Sequence, residues 1–518
     1  MVRSYVKGEA TMLKRLWILL VFAIVSFAQA QAVGEGKFLV WLADGSGPEG
    51  VSPSKSGAVG WMESNGTFTP ITVDVPAGTS RVLTCAVSAD KSRVYFFVGQ
   101  EEGTLYAINK GDITPVVLDR VRALTCLRGS FQLSPDGARL VYIDFEPANS
   151  ADEFIDGRLR IVNTADLSRV NLRENDVIDT AAFGVTNDIV AFVRLPETGS
   201  RNEALEAVIN VYNGASSQSI AVLRPDANNA CRFTNANLEV LPNNKLIAVL
   251  GHRCRQGGNT NTTFRIFTVD TNARDSFSLI ASGASGGAFV PESRVNTIIP
   301  SQDGTRAIVN LPDGIVGNSA NVQIVDVASG TLTPILARGG WMTRYTQARA
   351  YILDEPSYPL VSPDGRWYAF VESSPNNDRV LHVVDLSNMT VRSFPAPNRG
   401  DNIQRLTFTP DSRTLVYLQG GAASKENSIM TLQVDGGNPV SIIRGRFGFF
   451  ALSPNGNQVA IMEWQTVEDP TQPPYQSFSV IDLSNGAYFP VWDEGATITP
   501  EGKVRDLRFV YPLVWVPN

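Results

Sequence analysis

VSPDGRWYAFVES, residues 361–373, decides how the rest of the chain is read. A hydrophobic residue leads into Ser362, Pro363, Asp364 and Gly365, and an apolar run follows at once. A carboxylate beside a glycine invites a catalytic or metal-binding reading of Asp364. The same four residues also suit a tight turn. Proline presets φ at the second position, serine or aspartate bonds nearby amides, and glycine accepts positive φ where the chain enters the next strand.

Sister segments decide between the two. AVSADKSRVYFFV begins at 86, QLSPDGARLVYIDF at 132, TFTPDSRTLVYL at 407 and ALSPNGNQVAIMEW at 451. Weaker copies occupy 181–193, 239–250 and 298–310. Turn formers persist in all the strong copies while the proline or the carboxylate comes and goes. A catalytic acid stands out in one copy and is not dispensed at many equivalent turns, so Asp364 is read as a turn residue.

The copies recur every 44 to 61 residues, which is the length of a four-stranded sheet with its turns. Two more strand-like pieces follow each copy, as in LHVVDLSNMTVRSF (381–394) and FSVIDLSNGAYFPVW (478–492). The unit is strand A, the turn, strand B, a variable loop, strand C, a second tight turn and strand D. A lone meander of this kind has an uncovered apolar face and two open edges. Radial stacking covers the faces and leaves only short edges. The expectation is an all-β fold, a β-propeller of about eight blades, with seven to nine admissible. FLVWLA (38–43) and the two pieces after it lack a strand A, and the orphan segment 504–516 supplies one. Pairing of N- and C-terminal strands then closes the ring.

LSPDGARLVYI, VSPDGRWYAFV, FTPDSRTLVYL and LSPNGNQVAIM resemble the WD40-like propeller repeats of TolB-type proteins. Similar repeats form the propeller of prolyl-oligopeptidase-like peptidases, whose peptidase domain has no counterpart in this sequence. The resemblance covers most of 36–518. It implies a rigid disc, often exported, that binds a protein partner or holds an enzyme's substrate.

The expectation is a secretory signal peptide over 1–30, with Met12 an alternative start, and a single propeller domain over 31–518. Lys14 and Arg15 precede the apolar WILLVFAIVSFA (17–28), and small residues follow it. That run is short for a permanent span, so no integral membrane segment is expected after cleavage. The protein is expected to be exported, periplasmic or extracellular. With a net charge of −7, the chain has no broad attraction for phosphate backbones, and nucleic acid is excluded as a partner. Four cysteines allow three pairings; Cys85 with Cys126 and Cys231 with Cys254 is preferred, because each pair spans about one repeat or less.

GASGG (283–287) matches Gly-x-Ser-x-Gly, but no helix follows Ser285 and no hydrolase region exists, so a loop is expected there. His252 and His382 are the only histidines, too few for a three-ligand zinc site without several carboxylates. Phosphate-binding and calcium-loop motifs are absent, and no cofactor is implied. Asn65, Asn261 and Asn388 open formal glycosylation sequons.

Length varies chiefly between strands B and C, and those loops leave one face of a propeller. Binding residues concentrate on loops held by a rigid scaffold. The candidates on that face are Glu153, Asp156, Arg201, Arg253, Arg255, Glu372, Asp378, Glu468 and Asp469. The leading expectation is a non-catalytic binding or scaffold protein that engages a protein or cell-envelope component. The alternatives are a propeller hydrolase or lactonase with its site at the channel mouth, and a structural surface or matrix protein.

Overall fold

The computed structural model describes residues 36–45, 57–73, 81–100, 102–122, 126, 131–145, 157–170, 172, 180–196, 204–224, 231–256, 259–285, 298–310, 322–335, 341–342, 360–373, 378–398, 400–421, 426–464, 476–493 and 507–517. The segment expected to be a signal peptide lies outside them.

The described strands form eight antiparallel sheets, most of four strands in simple meander order. One sheet has seven strands and holds two repeats, Phe131–Leu133 through Gly157–Asn163 and Thr180–Val185 through Ser217–Leu223, joined only by the pair Gly157↔Thr180. Counted by repeat, there are nine units, the upper end of the expected range.

Apolar packing follows the same count. Among the described residues nine buried clusters occur; eight draw on two successive units, and the one between the first and second also takes Met462 from the ninth. Alternation along a strand turns successive side chains to opposite faces. In Trp367–Ser373, Tyr368 and Phe370 pack towards Ile299 and Ile308 of the unit before, and Ala369 and Val371 towards Phe408 and Leu415 of the unit after. We number the units as blades 1 to 9. Blade 1 takes strands B, C and D from Lys37–Gly45, Gly57–Glu63 and Phe68–Pro70, and strand A from Leu507–Val516. The cluster of Phe38, Val40, Met62, Trp515, Phe478 and Val480 joins blade 9 to blade 1 and closes the ring.

The expected turn is present and explains its own composition. Ser362 is buried; its Oγ donates to Asp364 Oδ1 at 2.5 Å and accepts from the Trp367 amide at 2.8 Å. Asp364 Oδ1 also accepts from the Arg366 amide at 3.0 Å. Equivalent bonds link Ser88 to Asp90, Ser134 to Asp136, Ser301 to Asp303, Thr409 to Asp411 and Ser453 to Asn455. The fourth position is left-handed each time, at Lys91, Gly137, Asn244, Gly304, Gly365, Ser412 and Gly456.

Neighbouring turns interlock. The Asp364 amide donates to Ser412 Oγ at 3.0 Å, and the Asp136 amide to Asn187 Oδ1 at 2.8 Å. Further out, C–D turns seat on strand D of the preceding blade. The Asp275 amide donates to the Ile220 carbonyl at 2.7 Å, and Gly330 lies directly against the Ile280 carbonyl oxygen. Arginines latch the same end: Arg93 donates to the Thr164 carbonyl and Arg392 to those of Val434 and Gly437. One end of the disc is thus closed by repeated hydrogen bonds.

Both preferred disulfides form, Cys85–Cys126 and Cys231–Cys254. The sequons at Asn65 and Asn388 serve as turns, since their side chains accept from the amides of Thr67 and Thr390.

Candidate functional site

The B–C connections leave from the end opposite the closed one. Glu153, Asp156, Arg201, Glu468 and Asp469 fall on such connections and lie outside the described residues. Asp378 stands half-buried just before strand C of blade 7 (Arg379–Asp385).

Arg253 and Arg255 lie on strand and not on loop. In blade 5, strands B and C are Lys245–Gln256 and Asn259–Asp270, twelve residues each, against five to nine in the other blades. Aligned on the turn, the hairpin continues four residues past the end of strand B in blade 7, about 13 Å at a strand's rise. Strand A of this blade, Cys231–Val240, runs beside the extension, and Cys231 faces Cys254 in register, so the disulfide staples it. Arg232 faces Arg253, and Arg255 follows two residues on. This is the most cationic strand segment at that end among the described residues.

His252 sits at the base of the hairpin, buried, with Nε2 2.7 Å from Thr263 Oγ1. Burial first, and the Arg265 charge second, lower its pKa to about 4, so it is neutral at pH 7. Glu239, on the innermost strand of blade 5, takes the amide of Val240 on Oε1 at 3.0 Å. Burial pushes its pKa up to about 8 against that bond. Asp364 is pulled the other way: burial raises its pKa, but the hydrogen bonds from Ser362, the Arg366 amide and Ser412 outweigh it. It is a satisfied turn carboxylate.

Glu372 requires a correction. Expected on a B–C loop, it is the penultimate residue of strand B of blade 7 and is buried. Alternation places it on the face of Phe370, and Phe370 pairs in register with His382, which pairs with Ser393 on strand D (Thr390–Pro395). His382 Nε2 lies 2.7 Å from Glu372 Oε2, and Nδ1 lies 2.9 Å from Ser393 Oγ. The imidazole is buried and stacks on Phe370 at 4.9 Å, whereas Ser393 is exposed. His382, one of two histidines too few for a zinc site, thus lies on strand C, and no motif in the sequence singles out Ser393. The recoverable signal was repeat position: Glu372 stands ten residues after the turn serine, as Glu463 and Asp144 do in blades 9 and 3.

Gly283–Ser285 also differs from expectation. These residues end strand D of blade 5 (Phe277–Ser285), with Ser285 paired to Thr262, where a loop was expected. Among the described residues, no group of three or more His, Cys, Asp or Glu side chains is placed to hold a metal ion. No helix among them is long and apolar enough to cross a membrane.

No family model matches the chain, and no curated protein sequence matches it. Solved structures do. A eukaryotic initiation factor aligns with TM-score 0.43 and 12% identity over 89% of this chain and 96% of its own. Oligogalacturonate lyase from Vibrio parahaemolyticus gives 0.41 and 12% over 91% and 100%. A prolyl endopeptidase gives 0.40 and 12% over 80% of this chain and 48% of its own. Likenesses this remote carry no argument about what the chain binds or does.

Proposed function

We propose that the protein is an exported binding or scaffold module of TolB-like, WD40-like repeat type. It engages a protein or cell-envelope partner through the end of the disc from which the B–C connections leave. The inequality of the two ends carries this reading. One end is consumed by bonds between turns and between blades. The other carries the length variation and the stapled, arginine-bearing hairpin of blade 5. A rigid ring with one variable end has the form of a recognition surface.

Site-specific photocrosslinking in intact cells tests it. A crosslinker replacing Arg253 is expected to capture a discrete partner, and one replacing Lys91 at the turn end is not. Equal capture from both positions, or capture from Lys91 alone, overturns the assignment of the face.

A further inference from the structure

We propose that Ser393 is an activated nucleophile, with His382 as its general base and Glu372 holding the imidazole, so that blade 7 carries an acyl-ester hydrolase site. The three side chains form a continuous relay across strands D, C and B. A carboxylate only accepts hydrogen bonds, so the proton of a neutral His382 resides on Nε2 and points at Glu372. Nδ1 is left with its lone pair facing Ser393, and the hydroxyl must donate to it. A serine hydroxyl donating to an imidazole that a buried carboxylate orients is the arrangement nucleophilic catalysis requires. The relay's burial is graded usefully: acid and base are enclosed, and the hydroxyl is open to an ester arriving from outside.

The reaction balances with ester and water alone. Ser393 Oγ bonds to the acyl carbon while its proton passes to His382 Nδ1, making an imidazolium held by Glu372. The tetrahedral adduct expels the alcohol, which takes that proton and leaves an acyl-serine. Water then attacks the acyl carbon and gives a proton to Nδ1. Release of the acid returns a proton to Ser393.

Blade 9 shows the same carboxylate position without a base. There Glu463 accepts from the Tyr488 hydroxyl at 3.0 Å, and Ser479 donates to that hydroxyl at 2.6 Å. No imidazole stands between acid and serine, so blade 7 is chemically distinct within one repeated frame.

The test uses the full-length protein, a fluorophosphonate probe and peptide mass spectrometry. The reference is Ser484, an exposed serine whose hydroxyl bonds to Asp482. General-base assistance is worth about 100-fold or more, so Ser393 is expected to label at least about tenfold faster than Ser484. His382→Gln and Glu372→Gln are expected to lose most of that margin, and p-nitrophenyl acetate hydrolysis to fall with it. A margin below tenfold in the unaltered protein overturns the proposal, whether or not the variants fold. So does a margin kept by either folded variant. Ser393→Ala must abolish labelling of the peptide, and ester hydrolysis that survives it overturns the assignment of the nucleophile.

Discussion

Phe38 and Trp515, from opposite ends of the chain, face each other in the pairing of the first and last strands, with ring centroids 4.5 Å apart. Phe478 of blade 9 meets Phe38 edge-on at 5.1 Å. One aromatic cluster therefore joins the last blade to the composite one.

Trp515→Ala should cost about 3–5 kcal/mol, the range for truncating a fully buried large aromatic. Urea unfolding measures it. A loss below 1 kcal/mol would mean that the ring is held mainly by its other eight seams.

Two glycines with similar backbone separate conformational strain from steric conflict. Gly365 and Gly330 have φ of 70° and 71°. A Cβ at Gly365 meets nothing, whereas one at Gly330 runs into the Ile280 backbone. Gly365→Ala should cost about 1–2 kcal/mol, the left-handed penalty alone. Gly330→Ala should cost clearly more, because the C–D turn must lift off its neighbour. Equal costs in thermal unfolding would show that the outer seating of these turns contributes nothing.

The turn serines predict an inversion of the first impression from the sequence. Ser362→Ala removes a buried hydroxyl that both donates and accepts, and should cost about 1–3 kcal/mol. Asp364→Asn keeps an acceptor, as Asn455 does naturally, and should cost less. Denaturant midpoints of the two variants give the order, and the reverse order sinks this account.

That comparison marks how far the sequence could be read. The turn motif, the strand order and ring closure were legible because they depend on local chemistry repeated many times. The fusion of blades 3 and 4 through Gly157 and Thr180 was not, since one bridging pair leaves no periodic trace. Glu372 was misplaced for a related reason. Alternation says which face a residue takes, but only the register of strands B, C and D brings Glu372, His382 and Ser393 together, and register depends on loops whose length does not encode it.

Stability should be greatest on a plateau between about pH 4.5 and 6.5 and fall on either side of it. His252, lowered to about 4 from 6.5, contributes stability present above 6.5 and lost as pH falls towards 4. Asp90 and Asp303, held at about 2 by hydrogen bonds from Ser88 and Ser301 and the residues after them, add a further loss as pH falls from about 4 through 2. Glu239, raised to about 8 from 4.5, acts in the opposite sense: its contribution is full below 4.5 and is lost as pH rises to 8, which offsets His252 up to 6.5 and leaves a falling limb above it. Denaturant unfolding across pH should show both limbs. Glu239→Gln should flatten the alkaline one; an unchanged alkaline slope would show that its carboxyl is not the group responsible.

Reduction should act on both staples. Closing loops of 41 and 23 residues corresponds to about 3–4 kcal/mol each in the chain-entropy treatment. Cys231→Ser with Cys254→Ser should also loosen the blade 5 hairpin, read as faster amide exchange at Arg253 than at Leu250. Unchanged exchange would show that the strand pairing alone holds the extension.

The strand pairing that closes the ring has a mechanical polarity. Lys37 opens the first strand, Val516 ends the last, and the two are partners at the same end of the ladder. Force applied through the chain ends therefore parts one rung at a time, like a zipper, and never loads the rungs together in shear. A seam that resists denaturant can still yield to a small pull. An unfoldase or translocase gripping either end would start at this ladder, and the disc would open there before any other joint bore load.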